Sequence, residues 1–238
     1  MRAVGIVAAA GSGLRLGADL PKALVPLAGR PLVCWAVDTL RAGGAAEVIV
    51  AVPPTERAAF AAALPGVLLV DGGASRTASV RAALAATAPG VDAVLVHDAA
   101  RPLTPPELVG RVLAALGAGA RAVVPVLPVV DTMVVVDDDG LVTDAVPRAP
   151  LRRVQTPQGF DRRTLADAYA GLADDADLTD DAAAVRAVGV PVVTVDGDER
   201  AAKVTVAHDL ATAELMARTT VSATGARPEP GPRPQVRS

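Results

Sequence analysis

The residues best suited to do chemistry stand near the start of the chain, in AAAGSGLRLGADLPKAL at 8–24. There Gly11-x-Gly13-x-Arg15 is followed, after six residues, by Lys22. Glycines let backbone amides come close to a phosphate and point at it. The two flanking cations differ: a guanidinium grips two oxygens at once, while an ammonium is a mobile point charge. Together they suit a triphosphate whose charge must be neutralised along its length while one phosphorus is attacked. That is nucleotidyl transfer, with pyrophosphate leaving. Two commoner phosphate loops fail on spacing. The dinucleotide fingerprint GxGxxG needs glycine where Leu16 stands, and Glu47 opens the second strand where a ribose partner would close it. The GxxxxGK[ST] loop is absent because Lys22 lies between Pro21 and Ala23.

Composition singles out two residues. Of 23 basic residues only Lys22 and Lys203 are lysines; the rest are arginines. In such a chain a surviving lysine marks a place where a compact, rotatable ammonium matters. Further along, DGGASRTASV (71–80) places Gly72 and Gly73 where backbone can approach a flat base, and Ser79 where a hydroxyl can bond its edge. HDAAR (97–101) offers Asp98 to a ribose, a substrate hydroxyl or magnesium, and Arg101 to a phosphate. His97 is given no role and His208 reads as structural; two distant histidines and one cysteine make no zinc-site spacing.

These side chains need a frame. Short apolar runs at 3–9, 47–52, 67–70, 93–97, 121–127 and 190–195 alternate with helical stretches at 31–42, 55–64, 76–87 and 105–116. Continuous apolar runs suit strands covered on both faces. The alternation predicts right-handed βαβ units, hence one α/β domain over 1–218 with a Rossmann-like, mostly parallel layered sheet. Such sheets bind ligands beyond the carboxyl ends of their strands, where the glycine loop, the 71–80 turn and the 97–101 segment all fall. Thr104-Pro-Pro-Glu107 predicts a capping box opening the fourth helix, with Gly43-Gly44 and Gly117 as helix stops. Two segments break the rhythm. Residues 129–155 form two extended runs about an Asp-Asp-Gly turn, a projecting β-arm that needs a partner surface and so implies a homodimer. Residues 219–238, rich in proline, glycine and arginine, predict a disordered tail.

The bulk properties exclude several classes. The chain has 238 residues, 51% hydrophobic and 21% charged, with net charge −3, which argues against a nucleic-acid binder. Its single cysteine, Cys34, excludes an intramolecular disulfide and a multi-cysteine metal site. The first apolar run is too short to span a membrane, which takes about 20 residues. A cytoplasmic protein without a membrane partner is expected.

Taken in order, the motifs carry a resemblance. The first loop, DGGASRTASVRAAL (71–84), VHDAARPL (96–103), PVVDTM (128–133), LRRVQTPQGF (151–160), LTDDAAAV (178–185) and KVTVAHDL (203–210) resemble the 2-C-methyl-D-erythritol 4-phosphate cytidylyltransferase family from about residue 3 to 215. The resemblance implies a nucleotidyltransferase-type fold, CTP as co-substrate, magnesium as cofactor and methylerythritol phosphate as acceptor. It implies that Arg15 and Lys22 stabilise the charge developing at the α-phosphorus. Ala9, Ala10, Gly11, Gly13, Gly72, Gly73, Ser79, Asp98 and Ala99 would surround CTP, with Asp98 also the metal's neighbour. Arg148, eight residues before Thr156, would grip the acceptor phosphate from the arm of a neighbouring subunit, with Lys203 orienting it. Arg101, Thr132, Thr156 and Thr179 would complete the acceptor site. Arg152 and Arg153 compete with Arg148 on sequence alone. Four departures stand out: Ala23 for a glutamine, Ala74 for an acidic residue, Val134-Val135 for basic residues and Asp181 for a glutamate. A ribitol 5-phosphate cytidylyltransferase and a non-catalytic nucleotide-sensing module are the rival readings.

Overall fold

A computed structural model describes residues 1–11, 20–173, 178 and 180–223. In chain order it contains β1 (Ala3–Ala8), a short hairpin of β2 (Pro26–Leu27) and β3 (Arg30–Pro31), α1 (Leu32–Ala42), β4 (Glu47–Val52), α2 (Arg57–Ala63) and β5 (Leu68–Asp71). There follow α3 (Arg76–Ala85), β6 (Ala93–Asp98), α4 (Pro106–Gly117), β7 (Ala122–Pro128), β8 (Met133–Val136) and β9 (Val142–Val146). The remainder is β10 (Arg152–Val154), β11 (Gln158–Asp161), α5 (Arg162–Ala170), α6 (Asp181–Ala187), β12 (Val193–Asp196) and α7 (Ala207–Ala223).

The main sheet runs β7-β11-β6-β1-β4-β5, with β10 and β12 also paired to β7. The β1–β4, β1–β6, β4–β5 and β12–β7 pairs are parallel, as the strand–helix alternation predicts. Successive side chains of a strand point to opposite faces, so each apolar run feeds two cores. Val7, Val50 and Leu95 pack with Val33, Val37 and Leu108 of α1 and α4. Ile6, Ile49, Val94 and Val96 pack on the other face with Val80, Phe160 and Leu165. Fully burying one such side chain is worth about 1.5–3 kcal/mol, so these two layers hold the strand ends in register.

Several expectations need correction. β11 joins the sheet antiparallel to both β6 and β7. Its sequence, QGFD, lacks the β-branched run that marks β1, β4 and β6, and burial between two neighbours makes it a strand. The capping box at Thr104 does not form: α4 is capped by Pro105 without a side-chain bond, and the Thr104 hydroxyl donates to the Arg101 carbonyl. The last strand begins at Val193 rather than 190. α7 runs on to Ala223, past the boundary expected at 218. The rest of the expected tail, 224–238, lies outside the described residues.

The arm is a sheet of its own. β8 and β9 pair only with each other, about the Asp137–Gly140 turn, with an irregularity at Val135/Val136. Met133, Val134, Val135, Val136, Leu141 and Val142 are all exposed on it.

Candidate active site

The ends of β1 and β6 and the turn after β5 converge on one cleft of about 450 Å³. β1 ends in Ala8–Gly11, tied down where the Ala9 amide donates to the Ala51 carbonyl at 2.9 Å. β5 ends at Gly72, whose amide donates to the Val52 carbonyl at 2.8 Å, so the turn after β5 lies against the end of β4. A side chain at Gly72 would place its Cβ 2.4 Å from that of Ala10, and one at Gly73 would meet the Ala78 Cβ at the same distance. Only glycine lets these segments close on one another. Ser79, itself buried, accepts from the Gly73 amide at 3.1 Å and donates to the Ser75 carbonyl at 2.9 Å, fixing the turn against α3.

Of the residues expected at the nucleotide, Ala9, Ala10, Gly11, Gly73, Ser79, Asp98 and Ala99 line this cleft, and Lys22 and Lys203 join them. Gly72 stands behind the lining and acts through the close approach just described. Lys22 opens a 3-10 turn, Lys22–Leu24, held by the Leu24 amide donating to the Pro21 carbonyl at 2.8 Å. The two lysines picked out by composition therefore share one cavity, although 181 positions separate them in the sequence (203 − 22).

Asp98 is the carboxylate of the lining, and cations surround it. Lys203 Nζ lies 2.9 Å from Oδ2, Arg101 Nε 3.7 Å from the same oxygen, and Arg76 Nε 3.4 Å from Oδ1. Burial opposes its charge, but Arg76, Lys203 and Arg101 outweigh that and hold its carboxyl far below the ordinary carboxylate range. Asp98 is therefore a fixed anion. Arg76 continues inward to Asp181, fully buried, at 2.7 Å, and the Tyr169 hydroxyl donates to the other Asp181 oxygen. Burial also opposes the charge of Arg76, yet Asp181 and then Asp98 push its pKa above the usual value. Burial, reinforced by Asp181, raises Tyr169 and keeps its phenol a donor.

Arg76 was missed by sequence reasoning, hidden among 21 arginines (23 basic residues less two lysines). A signal did exist. It is the first residue of α3, straight after the Ser75 cap, where the positive end of the helix dipole disfavours a cation. A cation there needs acidic partners, and Asp98 and Asp181 supply them.

Other expected residues have different duties. Arg101 does not face the cleft: it donates to the Ala201 carbonyl at 2.7 Å and the Val154 carbonyl at 3.2 Å, pinning two segments together. Thr156 is buried, its Oγ1 accepting from the Asp98 amide at 3.0 Å and lying 2.8 Å from His97 Nδ1. That hydroxyl is committed to the backbone beneath Asp98 and is not presented to a substrate. His97 is fully buried, and desolvation drives its pKa down to about 4, so the ring is a neutral partner of Thr156. Arg148 stands on the exposed arm with a guanidinium N–H donating to the Val130 carbonyl, and exposed Thr132 lies near the arm's root; neither lines the cleft. Arg153 pairs with Glu199 at 2.8 Å and Arg152 donates to the Ala149 and Leu151 carbonyls, so both competitors of Arg148 are engaged locally. Gly13, Arg15 and Thr179 lie outside the described residues.

What the cleft offers a ligand is close-lying glycine backbone and fixed charge beyond the ends of parallel strands, where α/β enzymes of the nucleotide-binding class hold their ligands. Comparison with known proteins narrows the class. Residues 3–219 match the family described as IspD, 2-C-methyl-D-erythritol 4-phosphate cytidylyltransferase. The enzyme of that name from Nocardia farcinica is 52% identical over 217 residues, 90% of this chain and 93% of its own length. Its namesake from Frankia casuarinae is 52% identical over 91% of this chain and 82% of its own length. The crystal structure of 2-C-methyl-D-erythritol 4-phosphate cytidylyltransferase from Thermus thermophilus superposes with a TM-score of 0.75 at 40% identity, covering 92% of this chain and all of that one. The chain belongs to the 2-C-methyl-D-erythritol 4-phosphate cytidylyltransferase family.

Proposed function

We propose that this chain joins CTP to 2-C-methyl-D-erythritol 4-phosphate, giving 4-diphosphocytidyl-2-C-methyl-D-erythritol and pyrophosphate. A phosphate oxygen of the acceptor bonds to the α-phosphorus of CTP, and the bond to the β-phosphate bridging oxygen breaks, its electron pair leaving with pyrophosphate. The observation that carries this reading is the pair of lysines, Lys22 and Lys203, in a cleft also lined by the Gly73–Ser79 turn. Lys22, with Arg15, neutralises the triphosphate. The Gly73 turn takes the base. Lys203 meets the acceptor phosphate from its perch on Asp98. No covalent intermediate is needed, so catalysis is positioning and electrostatics.

Magnesium fits this donor set in one way. Among the described residues Asp98 is the only carboxylate of the lining, and no group of three metal-ligating side chains exists there. That suits a cation carried in on phosphate oxygens and keeping its waters, with Asp98 as its protein neighbour. When bound, it would supply charge neutralisation on the departing pyrophosphate.

The arm supports a homodimer. Its exposed valines need cover, and Arg148 stands away from the cleft of its own chain. An arm that supplies Arg148 to the neighbouring subunit answers both facts. We place the enzyme in the cytoplasm, where its buried lone thiol, Cys34, stays reduced; no helix among the described residues is long and apolar enough to cross a membrane.

Pyrophosphate release with CTP and magnesium, offered methylerythritol phosphate or ribitol 5-phosphate, tests the reaction. Release with methylerythritol phosphate alone is expected. Release with ribitol phosphate alone would overturn the acceptor, and CTP binding without release would overturn the activity. Mixing Arg148→Ala with Lys22→Ala subunits should restore part of the activity each lacks; dimers that exchange subunits without rescue would refute a shared site.

A further inference from the structure

Lys203 is exposed enough to meet a ligand, yet its backbone is tightly placed. On one side Ala201 is buried and its carbonyl is held by Arg101; on the other the Val204 amide donates to the Ala100 carbonyl at 2.8 Å. Between β12 and Lys203 the chain makes a 3-10 turn, Glu199–Ala201, capped by Asp198. The fixed point of that turn is the side chain of Gln155, buried at 4% exposure. Its Nε2 donates to the Asp198 carbonyl at 2.8 Å and its Oε1 accepts from the Asp198 amide at 2.9 Å, so one amide satisfies both backbone groups of a single residue. The Asp198 carbonyl also accepts from the Ala201 amide at 2.9 Å, linking Gln155 directly to the turn that leads to Lys203. Gly197 makes room: a Cβ there would lie 2.4 Å from Gln155 Oε1.

Gln155 has a second connection. It follows β10, the strand in which the arm returns to the main sheet, and its own amide donates to the Pro125 carbonyl at 2.9 Å. The contacts around it join the same two segments, Arg153 to Glu199 and Arg101 to both the Val154 and Ala201 carbonyls. Residues 152–155 and 196–201 thus form a clasp between the root of the arm and the turn that bears Lys203.

We infer that Gln155 is a positioning residue for the acceptor: through Asp198 it sets the place of Lys203 relative to the arm, without touching substrate itself. This rests on the reading above in which Lys203 meets the acceptor phosphate. Among the described residues the nucleotide side of the cleft, Ala8–Gly11 and Gly73–Ser79, makes no direct bond to residues 152–155 or 196–201 and meets them only through Asp98, so the effect falls mainly on the acceptor.

The test is a split between the two Michaelis constants. Gln155→Glu keeps shape and the bond from the Asp198 amide but turns a carboxylate oxygen on the Asp198 carbonyl. It should raise the KM for methylerythritol phosphate about tenfold, the scale of one lost buried hydrogen bond, and leave the KM for CTP within about twofold. Gly197→Ala, which crowds Gln155 from the other side, should give the same signature. Both are measured beside Lys203→Ala. In the Lys203→Ala background Gln155→Glu should add nothing further to the acceptor KM, because it acts through that lysine. Equal rises in both KM values, or full additivity with Lys203→Ala, would overturn the inference and leave Gln155 a folding residue. If Lys203→Ala itself left the acceptor KM unchanged, the role of Lys203 would fall first, a result distinguishable from failure of the clasp. Thermal melting of each variant keeps loss of fold separate from loss of position.

Discussion

Around Asp98 the charged side chains are held by partners from different elements: Arg76 of α3 by Asp181 of α6, Asp98 of β6 by Lys203 beyond β12. Along the arm the bonds are local. Asp137 accepts from the Asp139 and Leu141 amides, Asp144 from that of Ala145, and Val134, Val135, Val136 and Val142 face solvent. The first region is finished by its own chain, and its geometry comes from interlocking the ends of several strands. The second pairs only within itself among the described residues and leaves an apolar face exposed. Rigidity is built into the one by long-range pairing and is missing from the other.

The comparison breaks most visibly at Asp181. Asp181→Ala removes a fully buried carboxylate and leaves Arg76 and the Tyr169 hydroxyl without their shared partner. It should cost about 3–5 kcal/mol in urea unfolding, the range for breaking a buried ion pair. Asp144→Ala on the arm should stay within about 0.5 kcal/mol, as exposed substitutions do. Equal losses at the two sites would remove the distinction.

Next in size is a kinetic effect. Lys22→Ala should lower the turnover of pyrophosphate release by about 10²–10³, the scale for one lost electrostatic donor in a preorganised site. Its melting temperature should barely move, because Lys22 is only partly buried. Turnover within a few-fold of the parent would refute its role in charge neutralisation.

The buried side of the site also sets a pH window. His97 has its folded pKa lowered by burial from 6.5 to about 4. Between those values the unfolded chain binds a proton that the folded chain refuses, so stability is full above about pH 6.5 and falls as pH drops toward 4. The shift corresponds to about 3 kcal/mol at 1.36 kcal/mol per unit. Asp98 acts in the same direction but lower: its depressed pKa gives stability above the ordinary carboxylate range that is lost in stronger acid. Urea unfolding at a series of pH values should therefore show a slope between pH 4 and 6.5 that His97→Gln flattens. An unchanged slope would mean that His97 is not the proton-excluding group.

Both regions were partly legible in the sequence, for different reasons. Backbone features read well. The apolar runs of β1, β4 and β6 announced buried parallel strands, whereas Gly72 and Gly73, expected to admit a flat base, are seen to admit the chain's own Ala10 and Ala78. Lys22 and Lys203 stood out because arginine was used elsewhere. Long-range pairing was illegible. Nothing local in GGASR tells that Arg76 reaches Asp181 across the fold, or that the Thr156 hydroxyl faces inward to His97 and the Asp98 amide rather than out to a ligand. Arg101 was misread for the same reason: an arginine beside a cleft looks like a phosphate ligand until the carbonyls of Val154 and Ala201 are found on it. The arm was legible because its alternation and turn are local.

The smallest effect on the isolated chain should come from the arm's apolar face, and it sharpens the comparison most. Val142 is 66% exposed, so Val142→Asp removes almost nothing that the single chain has buried. Its unfolding free energy measured under dissociating dilution should change by no more than about 0.5 kcal/mol. If the exposed valines are covered by a second copy, the same substitution buries an unpaired charge there, which is far costlier than losing a methyl contact. Sedimentation should then shift from dimer to monomer. Activity per chain should fall with it, because Arg148 would no longer reach a neighbour's cleft, and should recover as the enzyme concentration is raised. A Val142→Asp protein that sediments as a monomer with undiminished activity at every concentration would show that each chain completes its own site. The arm would then be an unpartnered hairpin rather than half of a shared one.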